Sequence, residues 1–162
     1  MMAYSHIGHN CEIGDNVILS NSVQVAGHVM IEDCAVVGGC LGIHQFVQIG
    51  YLSMIGGMTR VVRDVPPFCL AEGSPGRLRG LNKVGIKRSG LIEKNKLDFK
   101  LLLKTWLLLF KSDYVISEAV EVAMSQELDF SSKRLCEFVK HSIISNRRGP
   151  MPIAKLWRKK YL

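Results

Sequence analysis

The sequence predicts a left-handed parallel β-helix of hexapeptide repeats followed by an α-helical C-terminal domain. Three observations predict it: an aliphatic residue at every sixth position up to Val61, a proline pair just beyond, and apolar spacings of three and four after residue 98. The sixth-position residues are Ile7, Ile13, Leu19, Val25, Ile31, Val37, Ile43, Ile49, Ile55 and Val61, all branched aliphatics. Two places before them stand Ser5, Cys11, Val17, Val23, Val29, Ala35, Leu41, Val47, Ser53 and Thr59, small or medium and uncharged. An amphipathic helix needs spacings of three and four, and a half-buried strand needs strict alternation. A fixed period of six fits neither; it marks a parallel β-helix in which each hexad is one short strand plus a turn. Three hexads close a triangular coil of eighteen residues, so ten give a little over three coils, with the aliphatic rows stacked inside.

Residues 1–70 make up that unit. Its first hexad is already in register at Ile7, and an uncapped coil end exposes strand edges and core. The expectation is that the chain is the C-terminal part of a longer solenoid. Pro66 and Pro67 remove ladder donors and stop strand pairing. Residues 71–90, rich in Gly, Pro and basic side chains, read as a loop segment leading to helix. Residues 91–162 read as an α-helical domain. Phe99, Leu102, Leu103, Trp106, Leu109 and Phe110 share one helical stripe. Ser117-Glu118 opens a second helix, and Ser131-Ser132 caps a third with Leu135, Phe138, Val139 and Ile143 on its buried face. Arg147-Arg148-Gly149-Pro150 ends it. The tail Ala154–Leu162 is basic, carries Trp157 and Tyr161, and receives no role.

A chain of 162 residues with 48% apolar content can bury one core and an appended module. No apolar run approaches the ~18 residues that span a bilayer, since the longest, Leu101–Phe110, is short and holds Lys104. Met1–Asn10 lacks the layout of a signal peptide, so the cytoplasm is the expected compartment. Five cysteines without paired spacing argue against a disulfide framework and a zinc ribbon, and Cys11 on the inward row reads as a small core residue. Charge is uneven. Residues 1–70 carry two basic against five acidic side chains, net −3, and residues 71–162 nineteen against nine, net +10. An electropositive half draws an anionic partner: nucleic acid, a phosphate ligand or an acidic protein.

Four of the five histidines, His6, His9, His28 and His44, fall in the β-helix. His9 and Gly27 are one coil apart and should be stacked neighbours. An imidazole cluster on an outer face suits general-base work, because histidine titrates near neutrality. The segment His6-Ile7-Gly8-His9 also spells a nucleotide-binding signature of aminoacyl-tRNA synthetases. That motif belongs at a strand-to-helix turn, and here it lies inside a hexad. No carboxylate stands in ligand spacing with these histidines, so no metal is expected.

His6-Ile-Gly-His9-Asn10-Cys11, Val25-Ala-Gly-His28-Val29, Ile43-His44-Gln45-Phe46, Asp64-Val-Pro-Pro67 and Gly85-Ile-Lys-Arg88 together resemble the acyl-[acyl-carrier-protein]–UDP-N-acetylglucosamine O-acyltransferases of lipid A biosynthesis. The resemblance covers nearly all of this chain and roughly the last three-fifths of the family's length. It implies transfer of an (R)-3-hydroxyacyl group from acyl carrier protein to the 3-hydroxyl of UDP-N-acetylglucosamine. His9 would be the general base and the Gly27 backbone N–H an oxyanion donor. His6, His28, His44 and Gln45 would line the acyl and sugar groove. Gly57 matches the position where side-chain size limits acyl length, so glycine implies room for a longer chain. Asn82 and Arg88 would hold the nucleotide end. The family implies a homotrimer with sites between subunits, and a basic C-terminal surface that receives the acidic carrier protein. It implies no cofactor beyond the carrier's phosphopantetheine arm, no nucleic-acid partner and no stable membrane insertion. Two positions depart from the family's pattern: Asn10 stands where Asp often follows the base histidine, and Val84 where an acidic residue is common. The rivals are a related N-acyltransferase, against which Ala-Gly-His and Gly-Ile-Lys-Arg argue, and a non-catalytic truncated trimeric scaffold.

Overall fold

The computed structural model of the chain describes residues 1–94, 96–144 and 147–154. Ten two-residue strands recur every six residues: β1 (His6–Ile7), β2 (Glu12–Ile13), β3 (Ile18–Leu19), β4 (Gln24–Val25), β5 (Met30–Ile31), β6 (Val36–Val37), β7 (Gly42–Ile43), β8 (Gln48–Ile49), β9 (Met54–Ile55) and β10 (Arg60–Val61). From β1 to β7 each strand pairs in parallel with the strand three further on, so Ile7 stands against Val25 and Val25 against Ile43. The offset is one coil. The strands thus sort into three flat sheets, β1-β4-β7-β10, β2-β5-β8 and β3-β6-β9, which are the faces of a triangular prism.

Both inward rows are buried as the period requires. From Leu19 to Val61 the sixth-position aliphatics are at most 2% exposed, and Val23, Val29, Ala35 and Val47 join them. Each such side chain is worth about 1.5–3 kcal/mol against its exposed state. The first coil is looser: Ile7 is half-buried and Ile13 exposed. Cys11 stands on the inward row there, half-buried, with its thiol donating to the Ala26 carbonyl at 3.1 Å.

The turn conformation is not visible in the period alone. Tyr4, Asn10, Asn16, Ser22, His28, Cys34, Cys40, Phe46, Leu52 and Met58 all adopt left-handed backbone, with φ between 53° and 66°. Asn tolerates that region, but most side chains pay for it in steric energy. The coil below holds them there: the N–H of Ser22, His28, Cys34, Cys40 and Met58 donates to the carbonyl nineteen residues earlier, at 2.8–2.9 Å.

Strand pairing does not end at Pro66-Pro67. The chain resumes as β11 (Cys69–Glu72), parallel to β9, and turns back as β12 (Arg77–Leu81), antiparallel to β11. A short helix α1 (Lys83–Arg88) follows. Residues 71–90 are therefore a hairpin and a helix where composition suggests a loop. The prolines spare the ladder because it is interrupted only between β10 and β11, and Phe68, Leu78, Leu81 and Ile86 extend the prism core beneath it.

Helices α2 (Phe99–Lys111), α3 (Ile116–Met124) and α4 (Phe130–Ile143) pack on one another. Asp98 caps α2 through Lys100 and Leu101, and Asp129 caps α4 through the Ser132 N–H. Ser131 and Ser132 are thus buried inside α4 rather than capping it, because Asp129 is the residue with the extended cap backbone. α3 starts at Ile116, one residue before Ser117, without a side-chain cap. The last described stretch, 147–154, runs back along the prism: Met151 N–H donates to the Asp64 carbonyl, Leu78 N–H to Pro152, and Ala154 N–H to Leu78. Trp157 and Tyr161 lie outside the described residues. Among the described residues no helix is long and apolar enough to cross a membrane.

Candidate active site

His9, Gly27, Gln45 and Arg63 follow one another at one-coil intervals along a single corner of the prism. Beside it, the sheet β1-β4-β7-β10 forms the floor of a groove of about 550 Å³. His6, His9, Gly27, His44 and Arg60 line it.

The His9 ring is fixed on both sides. Its Nδ1 lies 3.0 Å from Asn10 Oδ1. With the amide oxygen accepting, Nδ1 carries the proton and Nε2 keeps its lone pair. A Cβ placed on Gly27 would come within 2.7 Å of that Nε2, so the ring rests against backbone that only glycine leaves open. The Gly27 N–H has no acceptor among the described residues. At another corner, the equivalent N–H groups of Asp15 and Tyr51 are taken by Asp33 Oδ1 at 2.7 Å and Glu32 Oε2 at 2.8 Å. A basic nitrogen therefore stands against an open backbone donor at the rim of a mostly apolar groove. That pairing can accept a proton from a hydroxyl and stabilise an oxyanion in one place.

The remaining sequence-proposed residues divide by position. His28 lies round the corner from the groove, edge-on to His9 at 4.9 Å and stacked on Phe46 at 5.0 Å. His44 donates from Nδ1 to the Gln45 carbonyl at 3.1 Å, while its Nε2 accepts from Arg148 Nη2 at 3.4 Å. Gln45 borders an adjoining hollow with Arg63 and Arg148. Gly57 precedes β10 just as Ala3 precedes β1, so it flanks the opposite edge of the same face from His9. A Cβ there would press to 3.2 Å from the Gly39 carbonyl oxygen. Asn82 caps α1: its Oδ1 accepts from Gly85 N–H at 3.0 Å and its Nδ2 donates to the Leu52 carbonyl at 3.0 Å. Arg88 is exposed at the end of α1. Within one chain neither Asn82 nor Arg88 lines the groove.

One cluster has no precedent in the sequence reading. The carboxylate of Asp64, 4% exposed, accepts from Arg147 Nε at 3.1 Å, Arg147 Nη2 at 2.9 Å, Ser142 Oγ at 2.6 Å and Gln48 N–H at 2.8 Å. Arg147 Nη2 also donates to the Phe46 carbonyl at 3.1 Å, which ties the helical domain to the turn after His44. The only sequence signal was the arginine pair that closes the third helix. The cysteines are poor nucleophile candidates where they are buried. Burial pushes the Cys69 thiol up to about 12 and, with help from Glu137, the Cys136 thiol up to about 11. Among the described residues no three His, Cys, Asp or Glu side chains converge as metal ligands.

Comparison with known proteins adds a family. Residues 64–151 match the family model described as UDP N-acetylglucosamine O-acyltransferase, domain 2. Over 153 residues the chain is 44% identical to the acyl-[acyl-carrier-protein]–UDP-N-acetylglucosamine O-acyltransferase of Gloeothece citriformis, covering 94% of this chain and 54% of that protein. The solved UDP-N-acetylglucosamine acyltransferase of Campylobacter jejuni superposes with a TM-score of 0.82 at 34% identity, over 96% of this chain and 57% of that one. The Arabidopsis UDP-N-acetylglucosamine acyltransferase gives 0.84 at 30% identity, over 91% and 52%. The chain spans about half the length of the curated relatives it matches.

Proposed function

The chain belongs to the UDP-N-acetylglucosamine O-acyltransferase family, and on that premise we propose that it transfers an (R)-3-hydroxyacyl group from acyl carrier protein to the 3-hydroxyl of UDP-N-acetylglucosamine, the first step of lipid A biosynthesis. The observation that carries this reading is the His9 ring lying with its bare Nε2 against Gly27, whose N–H is open. His9 Nε2 takes the proton of the sugar hydroxyl as its oxygen attacks the thioester carbonyl. The Gly27 N–H donates to the oxyanion that forms. Collapse of that intermediate expels the carrier thiolate, which recovers the proton from the imidazolium. A thioester is already activated, so the step requires neither a metal nor a covalent enzyme intermediate. The imidazole supplies about 10²–10⁴-fold and the donor about 10²–10³-fold. The Asn10 amide oxygen, 3.0 Å from Nδ1, orients the His9 ring with Nε2 against Gly27.

His6, His28, His44 and Gln45 surround the reacting groups in this reading, and Gly57 leaves the far edge of the face open to a longer acyl chain. Asn82 and Arg88 hold the nucleotide from a neighbouring subunit. Their distance from the groove within one chain supports a homotrimer in which sites are shared. A second support is the outward column Ile18, Val36, Met54 and Leu70 in successive register on one face, with Ile18 45% exposed. The other two faces show His6, Gln24, Gly42 and Arg60, or Glu12, Met30 and Gln48. An apolar face among polar ones is the one that a second copy covers. The cytoplasm, where carrier protein and nucleotide sugar meet, is the proposed compartment. The test offers UDP-N-acetylglucosamine and a panel of 3-hydroxyacyl carrier proteins to the chain and reads product mass. Product is expected with the chain and a loss of about 10²–10⁴-fold with His9→Ala. Product unaffected by the substitution would remove His9 from the chemistry, and no product from a folded chain would sink the enzymatic reading in favour of a non-catalytic scaffold.

A further inference from the structure

Beyond the groove lie two hollows of about 140 and about 370 Å³, and Arg63, Arg147 and Arg148 line both. His44 and Val62 belong to the groove and to the smaller hollow alike. The three spaces therefore form one track from His9 to the helical domain. Among their lining residues Asp64 alone is acidic, and its carboxylate is fully engaged by Arg147, Ser142 and Gln48.

Arg63 and Arg148 are in a different position. Both are exposed. Arg63 donates to the Arg148 backbone carbonyl and Arg148 to His44 Nε2 at 3.4 Å, both neutral acceptors. Neither meets a carboxylate among the described residues. Two arginines with spare donors and neutral partners, lining the same two hollows, suit an anion with several oxygens, above all a phosphate.

We propose that Arg63 and Arg148 form a phosphate subsite that holds the phosphodiester of the acyl donor's phosphopantetheine arm; the assignment rests on the acyl-transfer reading above. Arg63 stands three coils from His9 along the same corner, about 14 Å at about 4.8 Å per coil. Extended phosphopantetheine spans about 15 Å from sulfur to phosphorus at the length per bond of an extended backbone. A thioester placed at His9 thus brings the donor's phosphate to Arg63. The acceptor's diphosphate has the same chemistry and is the rival source.

Calorimetric titration of the full chain with 4′-phosphopantetheine, pantetheine and UDP-N-acetylglucosamine separates them. The chain is expected to bind 4′-phosphopantetheine at least about tenfold more tightly than pantetheine, the equivalent of one charge-assisted hydrogen bond. The double variant R63Q/R148Q should bring that ratio to near one while leaving pantetheine and UDP-N-acetylglucosamine affinities unchanged, and R63K/R148K should keep part of it. Both side chains are exposed, so an unchanged melting temperature is expected alongside. Equal affinities for the two pantetheines, no binding of 4′-phosphopantetheine, or a ratio the variant leaves intact overturns the proposal. So does a loss confined to UDP-N-acetylglucosamine, which assigns the arginines to the acceptor. The readout is binding, so an absence of acyl transfer in the enzymatic assay fails the functional reading without deciding this one.

Discussion

The prism and the helical domain are built on opposite kinds of contact. In the prism every strand meets its partner eighteen residues away, and one register governs all three faces. In the helical domain the decisive contacts reach back across much of the chain. Arg134 meets Glu32 at 2.8 Å and lies over the Tyr51 ring at 4.5 Å, and Arg147 and Ser142 meet Asp64. The first region repeats one local solution, whereas the second depends on a few particular anchors. Chemistry follows the same division. The His9–Gly27 pair and Arg63 come from the repeat, whereas Arg148, which reaches His44, comes from the segment after the helices.

The largest effect should come from breaking an anchor. Asp64→Ala leaves the half-buried Arg147, the buried Ser142 hydroxyl and the Gln48 N–H without their acceptor, and breaking such a pair costs about 3–5 kcal/mol. Denaturant melts are expected to show it, and amide exchange in α4 should rise ahead of exchange in the strands. If both regions loosen together, the division into repeat and anchor is wrong. Next in size, a cavity can be opened in either region. Ile49→Ala and Leu135→Ala both remove fully buried side chains and should each cost about 2–5 kcal/mol. The comparison is sharpened by where protection is lost: along the rows on either side of Ile49 in the first case, and within α2, α3 and α4 in the second.

Alkaline pH probes one buried thiol in each region, Cys69 in β11 and Cys136 in α4. Their thiols are pushed from an ordinary value of 9.0 to about 12 and about 11, so the folded chain keeps protons that the unfolded chain releases. Stability from this source is complete below pH 9 and falls as pH rises toward those values, by up to about 1.4 kcal/mol per pH unit for each thiol. Cys136→Ala should lower the slope of stability against pH between 9 and 11 by one thiol's share, leaving those of Cys69 and the likewise raised Tyr51, and a slope that does not change would remove Cys136 as a cause. The smallest effect is a helix cap. Asp129→Ala should cost about 1 kcal/mol, seen as a small fall in the denaturation midpoint, because it frees the Ser132 N–H.

This contrast explains what could be read in advance. A period of six gives inside and outside directly, and three periods per coil give the neighbour in the stack. The placement of His9 over Gly27 was therefore legible from residue numbers alone. The hairpin of β11 and β12 was not, because Pro66-Pro67 read as the end of pairing and Gly73, Pro75 and Gly80 as a loop. The left-handed turns at residues such as Leu52 and Met58 were hidden too, since backbone hydrogen bonds rather than residue preference hold them. The cap of α4 was misplaced by two residues because Asp129 and Ser131 are both good cap formers. No periodicity announces that Arg147 reaches Asp64 or that Arg148 reaches His44. Such pairs are settled by how two bodies dock, which no single segment encodes.

The eighteen-residue register gives the prism a reading frame of its own. Inserting one residue between His9 and Gly27 would turn the aliphatic rows outward for everything downstream. Inserting six would keep inside and outside correct but move the later corner by a third of a turn, so that the His9 ring and the open amide of Gly27 would stand on different edges. Only eighteen restores both, at the cost of separating them by one extra storey. The pair thus tolerates length changes in whole coils on either flank and none between its members, and a family that drifts in repeat number must do so outside that interval.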